Sequence, residues 1–266
     1  MKIFVGGDIV GRSGREVVEK YLPQIITNEV IDFIVINGEN SAGGFGITPK
    51  ICENLYNIGV DAITSGNHIW DQSEILGYID GDLRLIRPCN FLSSSPGKGY
   101  GVFETKNGIN ICVINVMCRL FMESLEDPFS SVKNILEIVK LKYNNLIVLL
   151  DIHGESTSEK MAIAHYFDGD ITVMYGTHTH VPTSDLQVLE KGSFFQTDLG
   201  MCGDYDSVIG MKKKNSISKF THKHKKVRLE TADGEGTLCG TIIEIDEKKN
   251  SIIDFKQVLL GGKLNK

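Results

Sequence analysis

The sequence lacks the features that mark several classes of protein. Its six cysteines form no Cys-x-x-Cys pair and show no regular spacing over 266 residues, which argues against a disulfide framework. No apolar run approaches the roughly 18 residues of a membrane-spanning helix, and residues 1–6 do not resemble the start of a signal peptide. We therefore expect a cytoplasmic protein with reduced thiols and no membrane partner.

An excess of positive charge is also lacking. Lys and Arg number 28 against 34 Asp and Glu, for a formal net charge of -6. General nucleic-acid and membrane-surface binders depend on clustered excess Lys and Arg. The exception is the basic segment, residues 211–228, which contains seven Lys and one Arg. Such runs are most often solvated surface, so binding of extended RNA through this segment is the less favoured alternative.

The sequence does contain a regular alternation of short apolar runs with longer amphipathic segments. This alternation predicts an α/β fold, and an Asn-Gly pair at 107–108 predicts a hairpin. The last third is predicted to form antiparallel strands, and no linker or repeat divides the chain, so we expect a single domain over 1–266. The predicted strands are 3–5, 33–36, 62–64, 101–105, 109–116, 146–150 and 171–174, and the predicted helices are 14–30, 49–58, 128–142 and 158–167.

Polar residues and glycines collect where the predicted strands end. Five strand ends carry Asp, Glu, Asn or His, whereas one such residue alone is more often a turn former or a helix cap. Loops beyond the carboxyl ends of neighbouring strands converge on one crevice in an open α/β sheet. Oxygen and imidazole donors at one crevice favour a metal centre. The five segments are Gly6–Asp8, Asn37–Asn40, Ser65–His68, Asp151–Gly154 and Gly176–His180.

Longer stretches around these residues carry a family resemblance. They are GDIVGRSGR at 7–15, NGENSAGGFGIT at 37–48, SGNHIWD at 65–71, GTHTH at 176–180 and YDSVIGM at 205–211. In this order they resemble the calcineurin-like metallophosphoesterases and, within them, the bacterial YmdB-type 2',3'-cyclic nucleotide phosphodiesterases. The resemblance covers nearly the whole chain. It implies a four-layer αββα sandwich, in which two mixed sheets pack face to face with helices outside.

The resemblance also implies two metal ions per chain, with Fe and Mn favoured and Zn or Mg as alternatives. Glu39 would bridge the two ions in place of the usual Asp, and Asn40 would replace the missing histidine of the usual Asp-x-His motif. One ion would take Asp8, Glu39, Asn40 and His180, and the other Glu39, Asn67, His153 and His178.

The implied reaction is hydrolysis of a phosphodiester by a metal-bridging hydroxide. His68 would act as the general acid for the leaving ribose oxygen, and the alternatives are that it supports a ligand by a hydrogen bond or is itself a ligand. The implied substrate is a 2',3'-cyclic nucleotide or an RNA end that bears the cyclic phosphate. The family also implies a homo-oligomer.

Two segments near the implied ligands keep two interpretations each. The glycine-rich loop, residues 41–46, is either a mobile wall of the substrate pocket, on which Phe45 stacks with a base, or a tight connection to the next helix. Residues 205–207 (Tyr-Asp-Ser) either face the same pocket or cap a helix.

Three competing functions remain to be weighed. A dinucleotide-binding oxidoreductase is disfavoured because Gly6–Gly11 lacks the G-x-G-x-x-G spacing and carries a carboxylate where a pyrophosphate would bind. A phosphomonoesterase or protein phosphatase on the same scaffold is an alternative. A non-enzymatic RNA-binding regulator with a structural metal is another, and it depends on the basic segment.

Overall fold

The computed structural model describes residues 1–222 and 227–264, and within these ranges it contains two β-sheets and five α-helices. The strands are β1 (Lys2–Ile9), β2 (Phe33–Asn37), β3 (Ala62–Thr64), β4 (Leu85–Ile86), β5 (Tyr100–Glu104), β6 (Asn110–Met117), β7 (Leu146–His153), β8 (Val173–Thr177), β9 (Gln187–Val188), β10 (Phe194–Gln196), β11 (Met201–Cys202), β12 (Leu238–Asp246) and β13 (Ser251–Leu260). The helices are α1 (Gly11–Glu29), α2 (Pro49–Asn57), α3 (Pro128–Lys142), α4 (Thr157–Tyr166) and α5 (Lys213–Thr221), with a short 3₁₀ helix at Ser73–Gly77.

Both sheets are mixed. The first has the order β13-β12-β1-β2-β3-β4, with β11 beside the end of β1, and its strands β1 to β4 are parallel. The second has the order β5-β6-β7-β8-β10-β9, and its strands β6, β7, β8 and β10 are parallel. Antiparallel strands complete one edge of the first sheet and both edges of the second. The parallel strands of each sheet therefore end at a common edge.

The core lies in three apolar layers. Ile3 and Val5 of β1 pack between the two sheets, while Phe4 faces the helices on the outside of the first sheet, as the alternation of side chains along a strand requires. Helices α1 and α2 cover the outer face of the first sheet, and α3 and α4 that of the second. This arrangement confirms the predicted αββα sandwich of two mixed sheets.

Local signals begin two helices at the predicted residues. Thr48 accepts the N–H of Ile51 at 3.4 Å before α2, and Asp127 accepts the N–H of Ser130 at 2.9 Å before α3. Pro49 and Pro128 occupy the first positions of these helices, where a missing N–H costs no hydrogen bond. Because caps and prolines act locally, the starts of α2 and α3 could be predicted from the sequence.

Three predicted boundaries and pairings were wrong. Asp8 lies inside β1 instead of after it, and β7 continues to His153 instead of ending at residue 150. The backbone hydrogen bonds between strands extend beyond the apolar runs, so predictions from apolar runs underestimate strand length. The last third is not purely antiparallel, because β10 pairs in parallel with β8 and β11 with β1, and it contains α5. The single domain over 1–266 stays a prediction. Within the described ranges, no helix is both long and apolar enough to cross a membrane.

Candidate metal centre

One group of donor atoms surrounds the imidazole of His153 at the end of β7. Its Nε2 lies 3.2 Å from Glu39 Oε1, 3.2 Å from Asn67 Oδ1 and 3.1 Å from His178 Nδ1. Glu39 and His153 are buried, and the donor atoms of Glu39, His153 and His178 all lie within 4.8 Å of one another. Carboxylate, amide and imidazole donors at this spacing fit a divalent cation.

A second group of donor atoms surrounds His180. Its Nε2 lies 3.2 Å from Asn40 Oδ1 and 3.9 Å from Asp8 Oδ1. Asp8 also accepts the backbone N–H of His178 at 3.2 and 3.1 Å, one distance for each carboxylate oxygen. The seven residues predicted as ligands are therefore brought together at the common edge of both sheets, in two adjacent groups; their binding of metal stays a prediction.

Hydrogen bonds on the outer side of each imidazole place the proton of the neutral ring on Nδ1. The Thr177 hydroxyl donates to Asp151 at 2.6 Å, so its oxygen accepts Nδ1–H of His153 at 2.9 Å. His180 Nδ1 donates to the carbonyl of Ile209 at 2.9 Å. Such outer partners orient histidine ligands and select their tautomer. In the neutral form of both residues, Nε2, the atom that faces the donor group, therefore has a free lone pair.

His178 is oriented from the solvent side. Its Nε2 lies 3.2 Å from a carboxylate oxygen of Glu155, which is half-exposed. The imidazole therefore donates from Nε2 and presents Nδ1 to His153. When both rings are neutral, their lone pairs face each other and repel unless a proton or a metal ion lies between them, so this arrangement fits a cation at this place.

The segment that carries His178 and His180 has an unusual backbone. Their φ angles are +89° and +66°, in the left-handed region that residues with a Cβ rarely adopt. Between them, Thr179 donates to Asp198 Oδ2 from its N–H at 3.1 Å and from its hydroxyl at 2.6 Å. This carboxylate holds the segment in the conformation that directs both imidazoles toward the donor groups.

A fully buried ion pair anchors the same segment. Lys160 of α4 donates to Asp198 at 2.8 Å and to the carbonyl of Thr177 at 2.7 Å, and both charged side chains have no exposed surface. A buried charge is tolerated only when it is paired and hydrogen-bonded. Sequence reasoning missed this pair, because a lysine within a short helix usually reaches solvent.

A glycine allows the two sheets to approach at the metal centre. A Cβ on Gly66, which follows β3, would lie 2.2 Å from both Glu39 Oε2 and His153 Nε2. Any other residue at 66 would displace these donor atoms. The glycine in the segment Ser65–His68 is therefore required by the close approach of the two side chains, and not only by the turn.

The electrostatics of the site favour positive charge. Burial raises the pKa of Asp8 to about 7, and a nearby cation would favour its ionised form. Burial also opposes the charged forms of Glu39 and His153. The attraction between these two charges is stronger than this effect of burial, so the pKa of Glu39 is lowered and the pKa of His153 is raised. Burial and then the charge of His153 lower the pKa of His178 to about 3. The donor set therefore fits metal ions.

His68, the predicted general acid, lies beside the donor groups. Its backbone N–H donates to Glu39 Oε2 at 3.3 Å, and its Nδ1 lies 2.8 Å from Asp71 Oδ2. Asp71 holds the ring through Nδ1, so Nε2 remains as the atom that can donate a proton. The ring of Phe45 contacts the imidazole edge-on, with centroids 5.1 Å apart. Asp71 lies within the SGNHIWD stretch, although sequence reasoning gave it no role.

A pocket of about 260 Å³ opens onto the donor groups. Five of the predicted site residues line it, and Phe45 lines it as well. The pocket therefore joins the candidate metal centre to one face of the glycine-rich loop. The five residues are Glu39, Asn40, His68, His178 and His180.

Residues 205–207 follow neither predicted role. Tyr205 accepts the N–H of Met201 at 2.8 Å and donates to the carbonyl of His180 at 3.1 Å, beneath the pocket. Ser207 bonds within its own turn, and Asp206 forms surface ion pairs with Lys213 and Lys263. The residue that precedes α5 is Lys212, so neither Asp206 nor Ser207 caps this helix. Tyr205 instead supports the backbone of His180.

The basic segment is partly neutralised where it is described. Lys212 lies 3.6 Å from Glu230 and 3.4 Å from Asp233, and Lys213 lies 2.6 Å from Asp206. Such pairing reduces the net charge available to a phosphate backbone. Residues 223–226, which include His224, lie outside the described residues. Binding of RNA through this segment stays a prediction.

Comparisons with known proteins agree with this fold. The sequence model of the family described as YmdB-like protein matches residues 3–258. A 2',3'-cyclic-nucleotide 2'-phosphodiesterase of Bacillus subtilis is 40% identical over 261 residues, which are 98% of this chain and 97% of that protein. A putative phosphatase/phosphodiesterase of Mycoplasma genitalium is 34% identical over 97% of this chain and 92% of its own.

The structural comparison gives the same result. A crystal structure described as a novel phosphatase from Mycoplasma pneumoniae has a TM-score of 0.91 and 32% identity over 98% of this chain and 93% of that chain. The chain belongs to the YmdB-like family, which confirms the predicted family. Because named relatives are phosphodiesterases or phosphatases, the prediction of an enzyme, a phosphoric diester hydrolase, is confirmed as well.

Proposed function

We propose that this chain is a dinuclear metal-dependent phosphodiesterase that hydrolyses 2',3'-cyclic nucleotides. The observation that carries the proposal is the pair of adjacent donor groups around His153 and His180, both of which border one pocket. The activity named for the Bacillus subtilis relative supports the substrate class. Iron and manganese are the favoured metals for this mixture of oxygen and imidazole donors.

Seven residues of the chain would bind the metal ions, and His68 would transfer a proton. Asp8, Asn40 and His180 would hold one ion and Asn67, His153 and His178 the other, with Glu39 shared between them. When bound, the two ions would activate water and neutralise the phosphate. With only two anionic ligands, Asp8 and Glu39, the loaded site would keep a net positive charge that attracts the monoanionic diester.

His68 would protonate the leaving oxygen. Asp71 holds Nδ1 of the imidazole at 2.8 Å, so Nε2 would transfer the proton. Addition of water at phosphorus and cleavage of the bond to the ribose 2' oxygen would give a 2' hydroxyl and a nucleoside 3'-phosphate. This choice of bond follows the name of the Bacillus subtilis relative.

The test is metal analysis of the purified protein together with hydrolysis of 2',3'-cyclic AMP. We expect about two metal ions per chain, loss of hydrolysis on chelation, and recovery on addition of Mn²⁺. Metal without hydrolysis of any diester would favour the RNA-binding regulator with a structural metal. A protein that takes up no metal after reconstitution would contradict the proposal.

A phosphomonoesterase on the same site is the second candidate, because the Mycoplasma pneumoniae structure is described as a novel phosphatase and the Mycoplasma genitalium relative as a putative phosphatase/phosphodiesterase. Rates with bis-p-nitrophenyl phosphate and p-nitrophenyl phosphate separate the two functions. A strong preference for the monoester would replace the proposed activity. Cytoplasmic location and homo-oligomeric assembly stay predictions from the sequence, and an RNA end with a cyclic phosphate stays an alternative substrate.

A further inference from the structure

The lining of the pocket beside the candidate metal centre contains two chemically different groups of side chains. One group is polar and includes the donor residues, and the other, here called the apolar wall, consists of four apolar side chains: Phe45, Ile209, Met211 and Leu229. Ile209 keeps 53% of its surface exposed although it is a large apolar residue, and Phe45 and Leu229 are only partly buried. Exposed apolar side chains that converge on polar groups are typical of a ligand site.

The apolar wall is built from segments that are far apart in the chain. A Cβ on Gly44 would lie 2.7 Å from Thr231 Cγ2 and 3.0 Å from Met211 Cε, so the glycine-rich loop packs directly on the first residue of the basic segment and on the chain just after that segment. The backbone N–H of Lys212 donates to the carbonyl of Glu230 at 2.8 Å and joins these two parts of the chain. The apolar wall is therefore supported by packing and not by a free loop.

Ile209 connects the apolar wall to the candidate metal centre. Its φ is +47°, which is unfavourable for a β-branched residue, and its carbonyl accepts Nδ1–H of His180 at 2.9 Å. This bond keeps the Ile209 side chain next to a ligand of the centre. A group attached to a phosphate bound at the centre would therefore contact Ile209.

We propose that Phe45, Ile209 and Leu229 form a subsite for the nucleobase of the substrate. The inference rests on the proposed hydrolysis of cyclic nucleotides. A planar base gains free energy by stacking on aromatic and apolar side chains. None of the three side chains donates or accepts hydrogen bonds, so the subsite binds a base by contact with its flat face. It does not read the donors and acceptors on the edge of the base, which distinguish one base from another. The four common bases should therefore be accepted about equally.

The experiment compares two substrates across four proteins. The substrates are 2',3'-cyclic AMP and the base-free 1-O-methylribose 2',3'-cyclic phosphate, and the proteins are the wild type, Phe45→Ala, Leu229→Ala and the control Leu141→Ala. Leu141 is 89% exposed on α3 and lies outside the pocket lining. The readout is the ratio of kcat/KM for the two substrates. Since Phe45 touches His68, its replacement can lower both rates, and only the ratio reports on the base.

We expect the wild type and Leu141→Ala to prefer the nucleotide by about tenfold or more, and each subsite variant to lose most of this preference. The cyclic phosphates of the four common nucleosides should differ by less than about fivefold in the wild type. Equal rates for both substrates in the wild type, or an unchanged ratio in both variants, would overturn the subsite and leave the phosphodiesterase intact. Hydrolysis of neither substrate by the wild type would remove the proposed function, and the subsite with it.

Discussion

The two sheets contribute different chemistry to the candidate metal centre. The first sheet provides the oxygen donors, from Asp8 in β1, Glu39 and Asn40 after β2, and Asn67 after β3. The second provides the three imidazoles, from β7 and from the segment after β8. The contacts from Glu39 and Asn67 to His153, both at 3.2 Å, cross from one sheet to the other. The centre therefore forms only when the sheets pack together.

The two sides are also held in different ways. On the oxygen side, the backbone approaches closely at glycines: a Cβ on Gly38 would lie 2.8 Å from both Ile47 and Ile63, and one on Gly66 would displace Glu39. On the imidazole side, buried side chains hold the donors in place: Thr177 bonds to His153, and the Lys160–Asp198 pair anchors the segment of His178 and His180. Substitutions on the two sides should therefore have different consequences.

The largest effect is expected for Glu39→Ala, which removes a carboxylate between the two sides. It should abolish hydrolysis of 2',3'-cyclic AMP and reduce metal content, because both donor groups would lose their proposed shared ligand. Elemental analysis and turnover are the measurements. Glu19→Ala on the exposed surface of α1 is the control. Full metal content in Glu39→Ala would show that Glu39 is not a ligand.

A smaller effect is expected for His68→Ala, which leaves all seven proposed ligands in place. Turnover should fall by roughly a hundredfold or more, the usual scale for a lost general acid, while metal content stays at the wild-type value. Comparison of kcat with elemental analysis checks this. Normal turnover would refute the acid assignment without affecting the metal centre. Loss of metal would instead make His68 a ligand or the support of one.

The smallest effect on chemistry is expected for Lys160→Met, which changes the support of the imidazole side. It leaves Asp198 buried without its partner, and breaking such a pair costs about 3–5 kcal/mol of the free energy of unfolding. The matched control is Lys140→Met, because Lys140 and Asp170 form an exposed pair at 2.7 Å whose loss should cost about 1 kcal/mol or less. Urea unfolding measures both. Equal stability of the two variants would contradict the anchoring role of Lys160.

The donors were predictable because their signals are local. Gly66 and Asn67 follow an apolar strand, and the two histidines of GTHTH lie two residues apart, so both are visible in a single segment. Thr48 with Pro49 likewise predicts the start of α2 within a few residues. The residues that orient the donors carried no such signal, since Lys160 and Ile209 resemble an ordinary helix lysine and a loop residue.

By itself the sequence determined the alternation of strands and helices, the caps of α2 and α3, and the donors at the strand ends, because periodicity, capping and donor type depend on residues close together in the chain. The tertiary structure decided which atoms face each other. His178 and Asp8 are 170 residues apart and meet at 3.1 Å, and Lys160 is buried against Asp198. These contacts depend on how two sheets pack, and packing brings together segments whose local patterns contain no information about each other.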